Sequence, residues 1–141
     1  MTSKRWYQLA AAFSFLVPLF VYIRTLTPTV PFWDSGEFIA TSYILGLPHP
    51  PGNPVYTMLG RMMSLIPFGA VAWKVNFMSA LASALAAFFT FLITHRTLRR
   101  WWAEQPLTPV RQLACAVGGL AAAFFVAFSN SFWDSAIEAE V

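Results

Sequence analysis

The sequence predicts an all-α integral membrane protein, with about three transmembrane helices and short interfacial helices in its first extracytoplasmic loop. Three observations carry that expectation. Only 11% of the 141 residues are charged while 57% are hydrophobic, and mean hydropathy is +0.58; a soluble domain carries about 25% charge. Three charge-free runs, 6–23, 75–94 and 113–128, have the character of membrane helices. The basic residues gather at the ends of those runs rather than across a solvated surface, which also excludes a nucleic-acid-binding face. Cys115 lies in an apolar run and, as the single cysteine, forms no internal disulfide.

Residues 6–23 are preceded by Lys4 and Arg5 and followed by Arg24. Eighteen uncharged residues make about 27 Å of helix, close to the roughly 30 Å hydrocarbon core. A cleaved signal peptide fits less well, because the apolar region is longer than usual and no small-x-small site follows. In the next segment Pro28 and Pro31 remove donors and push their predecessors towards extended geometry, so the helix stops. A short helix is expected from Asp34 to about Leu45. Pro48, Pro50, Pro51 and Pro54 then stiffen a turn around Gly52. The stretch 55–66 is apolar with Arg61 at its middle, too short to span, and reads as an interfacial helix.

The second run, 75–94, begins beside Lys74. Ser79, Ser83 and Ala87, with Ala80 and Ala84, recur at the four-residue spacing that lets membrane helices approach closely. His95, Arg96, Arg99 and Arg100 follow, then Trp101 and Trp102 as interfacial anchors. The third run, 113–128, carries a second small-residue stripe at Cys115, Gly119 and Ala123, and the chain then turns polar with Asp134, Glu138 and Glu140. The organisation expected is one transmembrane module over 1–141, with an extracytoplasmic loop over 24–74 and a cytoplasmic linker over 95–112. A module of three spans is expected to be the amino-terminal part of a longer chain.

Six basic residues (Lys4, Arg5, Arg96, Arg99, Arg100, Arg111) fall on one side against three (Arg24, Arg61, Lys74) on the other, so the amino terminus is expected in the cytoplasm. Asp34, Glu37, Asp134, Glu138 and Glu140 then share the outer face. Residues 31–54 concentrate the chemistry: two of six acids, one of two histidines and five of ten prolines. Phe32-Trp33-Asp34-Ser35-Gly36-Glu37 is echoed by Phe132-Trp133-Asp134-Ser135-Ala136-Ile137-Glu138. One reading makes each a capping box that opens a helix at a membrane exit, Asp34 with Glu37 and Ser135 with Glu138. The other directs the carboxylates at a ligand, where one could accept a proton from a hydroxyl or several could hold a hard divalent cation. His49 sits in a proline-locked turn suited to presenting it. Arg61 either snorkels to the interface or pairs with a phosphate or an acid.

Phe32-Trp33-Asp34-Ser35-Gly36-Glu37-Phe38, Pro48-His49-Pro50-Pro51-Gly52-Asn53-Pro54 and Leu59-Gly60-Arg61 together resemble the membrane glycosyltransferases of the GT-C superfamily, and most closely the protein O-mannosyltransferase-like group with its bacterial DUF2723-type members. The resemblance implies a many-span, all-helical enzyme of the bacterial cytoplasmic membrane. Such an enzyme moves a sugar, with inversion, from a polyprenyl-phosphate carrier to a protein or glycan hydroxyl outside the membrane. It implies catalytic roles for Asp34 and Glu37, and substrate or carrier contacts for His49, Asn53, Arg61, Asp134 and Glu138. The adjacent acids of protein mannosyltransferases are here separated by two residues. No cofactor is required by the resemblance, and a divalent cation stays open. The alternatives are a transporter or channel component with an outer acidic cation site, which would call for ionisable residues inside the spans, and a non-catalytic membrane scaffold.

Overall fold

The computed structural model describes residues 3–31, 33–106 and 108–139. They form six helices, α1 (Ser3–Thr25), α2 (Ser35–Ile44), α3 (Pro54–Ser64), α4 (Val71–Trp101), α5 (Pro109–Ala127) and α6 (Asn130–Ile137), and no strand among the described residues. Three segments, Arg5–Thr25, Val71–Trp101 and Pro109–Ala127, are long and apolar enough to cross a membrane. The fold class expected from the sequence is therefore the one observed. Phe32, of the first motif, and Glu140, of the acids expected on the outer face, lie outside the described residues.

Contacts divide the chain into two compact units: the described residues of Met1–Phe20 with Ser83–Ser129, and those of Val21–Ala82 with Asn130–Val141. In the first, Ala11, Phe91 and Ala123 form the core. The stripe Cys115, Gly119, Ala123 and Ala127 is the buried face of α5. A Cβ on Gly119 would come within 2.9 Å of the Phe91 ring, so the missing side chain is what admits that ring. Arg96, Arg99 and Arg100 are carried within α4, which is longer than the charge-free run because arginine is a good helix former.

In the second unit, Phe38, Ile39, Val75, Met78 and Ala139 make the core. Buried Asn76 donates from Nδ2 to Thr27 O (2.7 Å) and Thr29 O (3.2 Å), satisfying backbone that the proline-interrupted segment leaves unpaired. Thr27 N–H also donates to Ile137 O at 3.0 Å, and Trp133 stands edge-on to Tyr22 at 6.3 Å. Thus the closing segment packs into the unit that holds the opening loop.

The two capping boxes are not formed. Asp34 occupies the position before α2 but makes no side-chain cap bond, and Glu37 turns away to His49. Ser135 opens no helix, because α6 already runs from Asn130 and the Ser135 hydroxyl donates to Ser131 O at 3.1 Å. In α3, Pro54 takes the first turn, where its missing N–H costs nothing. At the other end Lys74, buried, donates from Nζ to Ser64 O (3.0 Å) and Ile66 O (2.8 Å). A cation there satisfies carbonyls the helix leaves open and complements its dipole. Thr57, Gly60 and Ser64 face inward while Val55, Met58, Leu59 and Met62 are exposed, the two-sidedness of an interfacial helix. Gly60 is where α3 meets α2: a Cβ there would lie 2.3 Å from Ser42 Oγ and 2.7 Å from Ser42 Cβ.

Candidate functional site

The site is built from the start of α2 and the turn that follows it. Asp34 immediately precedes α2 with φ −75° and ψ −8°, next to Trp33 at φ 67°. Phe38 N–H donates to Asp34 O at 3.0 Å, which fixes the Asp34 backbone and leaves its carboxylate uncommitted to capping. Glu37 stands in the first turn of α2. The chain leaves α2 through Leu45, left-handed at φ 56°, and returns through Pro48 to Pro54. That turn contains a cis Pro50–Pro51 bond and Gly52 at φ 75°, a conformation open to glycine at little steric cost. Gly52 N–H donates to His49 O at 2.9 Å.

The return brings His49 onto Glu37. The His49 backbone N–H donates to Glu37 Oε1 and the ring Nδ1 lies against Oε2, both at 2.7 Å. An ionised carboxylate only accepts, so the Nδ1 site carries the proton. Nε2 is thereby aimed outward, 3.9 Å from Asp34 Oδ2. The hydrogen bond to His49 holds the Glu37 carboxyl below its ordinary value, and the same bond raises the His49 imidazole above its own. The His49 ring sits 6.0 Å from Phe38, and Phe38 packs edge-on at 5.5 Å against Tyr56. Tyr56 is anchored in turn to Ser79 Oγ at 2.9 Å, and burial pushes its phenol up to about 12. This aromatic ladder ties the turn to α2, α3 and α4 and limits how far His49 can move.

The side chains of Asp34, His49 and Glu37 are 62%, 46% and 39% exposed, so a ligand can reach them. The 3.9 Å between Nε2 and Oδ2 is too long for a direct hydrogen bond, yet a hydroxyl oxygen can sit about 2.8 Å from each. Ligand atoms of Asp34, Glu37 and His49 also lie within 4.8 Å of one another, a spacing that could hold a cation. Both Glu37 oxygens are already engaged by His49, so the free donors are Nε2 and the Asp34 carboxylate.

Of the residues singled out in the sequence, Asp34, Glu37 and His49 are brought together. Asn53 stands at the start of α3, where its carbonyl accepts from Thr57 N–H (2.9 Å) and Oγ1 (3.0 Å). Arg61 is used inside the fold: its Nη1 donates to Tyr43 O at the end of α2 and its guanidinium lies 5.9 Å from the Tyr43 ring centroid. Asp134 accepts from Asn130 Nδ2 at 3.1 Å within α6, and Glu138 follows that helix. Sequence reasoning missed the Glu37–His49 pair, although a histidine in a rigid turn directly after a short helix is a signal that it folds back.

The family model described as Protein O-mannosyl-transferase TMEM260 N-terminal domain matches residues 34–141. The chain is 36% identical over 122 residues to the Protein O-mannosyl-transferase TMEM260 of Mus musculus, covering 86% of this chain and 15% of the mouse protein. It is 32% identical over 124 residues to the Protein O-mannosyl-transferase tmem260 of Dictyostelium discoideum, covering 86% of this chain and 13% of that protein. The chain therefore spans about 15% of the length of the mouse relative. Both relatives are eukaryotic proteins. No solved structure matches the chain.

Proposed function

The chain belongs to the Protein O-mannosyl-transferase TMEM260 N-terminal domain family, and from that premise we propose that it is the amino-terminal membrane module of a glycosyltransferase that moves mannose from a polyprenyl-phosphate carrier to a protein hydroxyl on the extracytoplasmic face. The observation that carries this reading is the open gap between Asp34 and His49, held by Glu37. The acceptor oxygen sits in that gap and attacks the anomeric carbon from the side opposite the phosphate. The new C–O bond forms, the bond to the phosphate oxygen breaks, and polyprenyl phosphate leaves with the bonding electrons. Asp34 takes the hydroxyl proton as general base. Glu37 positions His49, whose Nε2 orients the acceptor.

Topology supports the same arrangement. With the amino terminus and the arginine-rich end of α4 in the cytoplasm, the α2–α3 loop emerges outside, where a lipid-linked donor can lie beside the apolar outer face of α3. Asp134 and Glu138 belong to the same unit as the site and contribute to acceptor binding from α6 and its end. The test uses the full-length protein in proteoliposomes with a hydroxyl-bearing peptide and radiolabelled mannose, supplied either as polyprenyl-phosphate mannose or as a nucleotide sugar. Labelling of the peptide from the lipid donor is expected. Labelling from the nucleotide sugar alone would overturn the proposed donor, and ion flux without any transfer would favour a transporter.

A further inference from the structure

An apolar groove runs along the first unit, away from the site just described. It is lined on α1 by Trp6 and Phe13 and on α5 by Leu113, Val117 and Leu120, with Arg99 of α4 at its mouth and a volume of about 750 Å³. Trp6, Phe13, Leu113 and Val117 are each more than half exposed, so the helices of this unit leave the groove open. From Pro109 at the mouth to Leu120 at the floor is eleven residues of α5, about 16 Å of helix. That is close to half of a roughly 30 Å hydrocarbon core, the depth of one leaflet.

The mouth is polar and cationic. His95 and Gln112 line it beside Arg99, and Arg96 and Arg100 belong to the same stretch of α4. Glu104 is the one acidic residue in this unit's sequence, and among the described residues no carboxylate lies in salt-bridge range of Arg99. His95 clusters with the Tyr7 and Phe91 rings, 4.7 and 5.6 Å from their centroids, and those rings lie 6.1 Å from each other, so three rings wall the mouth. An uncompensated guanidinium above a leaflet-deep apolar slot fits an amphiphile with one anionic head and a hydrocarbon tail. Basic pockets between transmembrane helices are sites of that kind.

We propose that this groove binds an anionic glycerophospholipid of the surrounding leaflet, with an acyl chain lying between α1 and α5 and the phosphate on Arg99. The fork of the guanidinium takes two phosphate oxygens at once, which a zwitterionic lipid offers with a compensating cation attached and an anionic one offers without. Neither this site nor its test depends on the transferase reading.

The test is photo-crosslinking of the full-length protein in phosphatidylcholine nanodiscs carrying a small fraction of phosphatidylglycerol or phosphatidylcholine with a diazirine on the acyl chain. Peptide mapping reads labelling of residues 6–13 and 113–120. At least threefold more labelling from phosphatidylglycerol is expected. Arg99→Gln should reduce it to the phosphatidylcholine level, and Val117→Trp should block it by filling the slot while leaving the charge in place. Equal labelling by the two lipids, or preference unchanged in Arg99→Gln, would overturn the proposal. So would absence of labelling in both segments, the result if another helix or a second copy covers the groove.

Discussion

Gly60→Ala is the sharpest test of the packing that holds α2, and with it Asp34 and Glu37, in place. The new methyl carbon would lie 2.3 Å from Ser42 Oγ and 2.7 Å from Ser42 Cβ, whereas ordinary contact begins at 3.4 Å. Rotating the Ser42 hydroxyl relieves the first clash but not the second, since a Cβ has no rotamer to change. The two helices must therefore separate by several tenths of an ångström. Overpacking of this kind costs about 1–3 kcal/mol, and replacing a helical glycine by alanine returns about 0.5–1 kcal/mol. The net expectation is a loss of up to about 2.5 kcal/mol, set by those opposing effects. Ser42→Gly removes both clashing atoms, so in that background Gly60→Ala should be neutral or stabilising. Thermal melts in detergent micelles of the wild type, both single variants and the double variant give the coupling energy directly. A Gly60→Ala protein melting above the wild type, or two changes that simply add, would refute close contact between α2 and α3 at this point.

Two other consequences follow from the geometry. Glu37 is held below 4.5 in the fold, so its contribution is present above pH 4.5 and fades as pH drops through its lowered value; His49 is held above 6.5, so its contribution is present below pH 6.5 and fades as pH rises through its raised value. The charged pair is thus at full strength between about pH 4.5 and 6.5. Glu37→Gln should move the ring-proton NMR titration of His49 down towards 6.5, and an unmoved midpoint would contradict the pairing. Lys74→Met leaves the carbonyls of Ser64 and Ile66 without their buried donor, a loss of about 1–3 kcal/mol. An unchanged melting temperature would show that those carbonyls find other donors.

The parts of the structure legible in the sequence are those dictated by local chemistry. Charge-free runs locate α1, α4 and α5, because an ionised side chain in hydrocarbon is costly. Proline marks the break after Thr25 and the first turn of α3. The site was legible in composition and illegible in connectivity. Asp34 and Glu37 have the spacing of a capping box, and local rules alone favour that use. What decides against it is a partner twelve residues away: His49 offers Glu37 two donors at once, from backbone and ring, where the cap would offer one. The same limit applies to Arg61 and Lys74. Each reads as a surface cation by position, yet each is used on helix-terminal carbonyls, of α2 and of α3, that become partners only after the loop has folded. The start of α6 was missed because Ser135 looked like a cap, while the Asn130–Asp134 side-chain bond, one helical turn apart, supports a helix already under way.

The central claim is that Asp34 takes the proton from the acceptor hydroxyl in the gap it shares with His49. Its most direct test is the initial rate of mannose transfer by full-length Asp34→Asn protein, which keeps the shape and polarity of the side chain and removes its basicity. The account predicts a fall of about 10²-fold or more, the usual share of a general base, with membrane insertion and melting temperature unchanged. Transfer at the wild-type rate from a properly folded Asp34→Asn protein would contradict it.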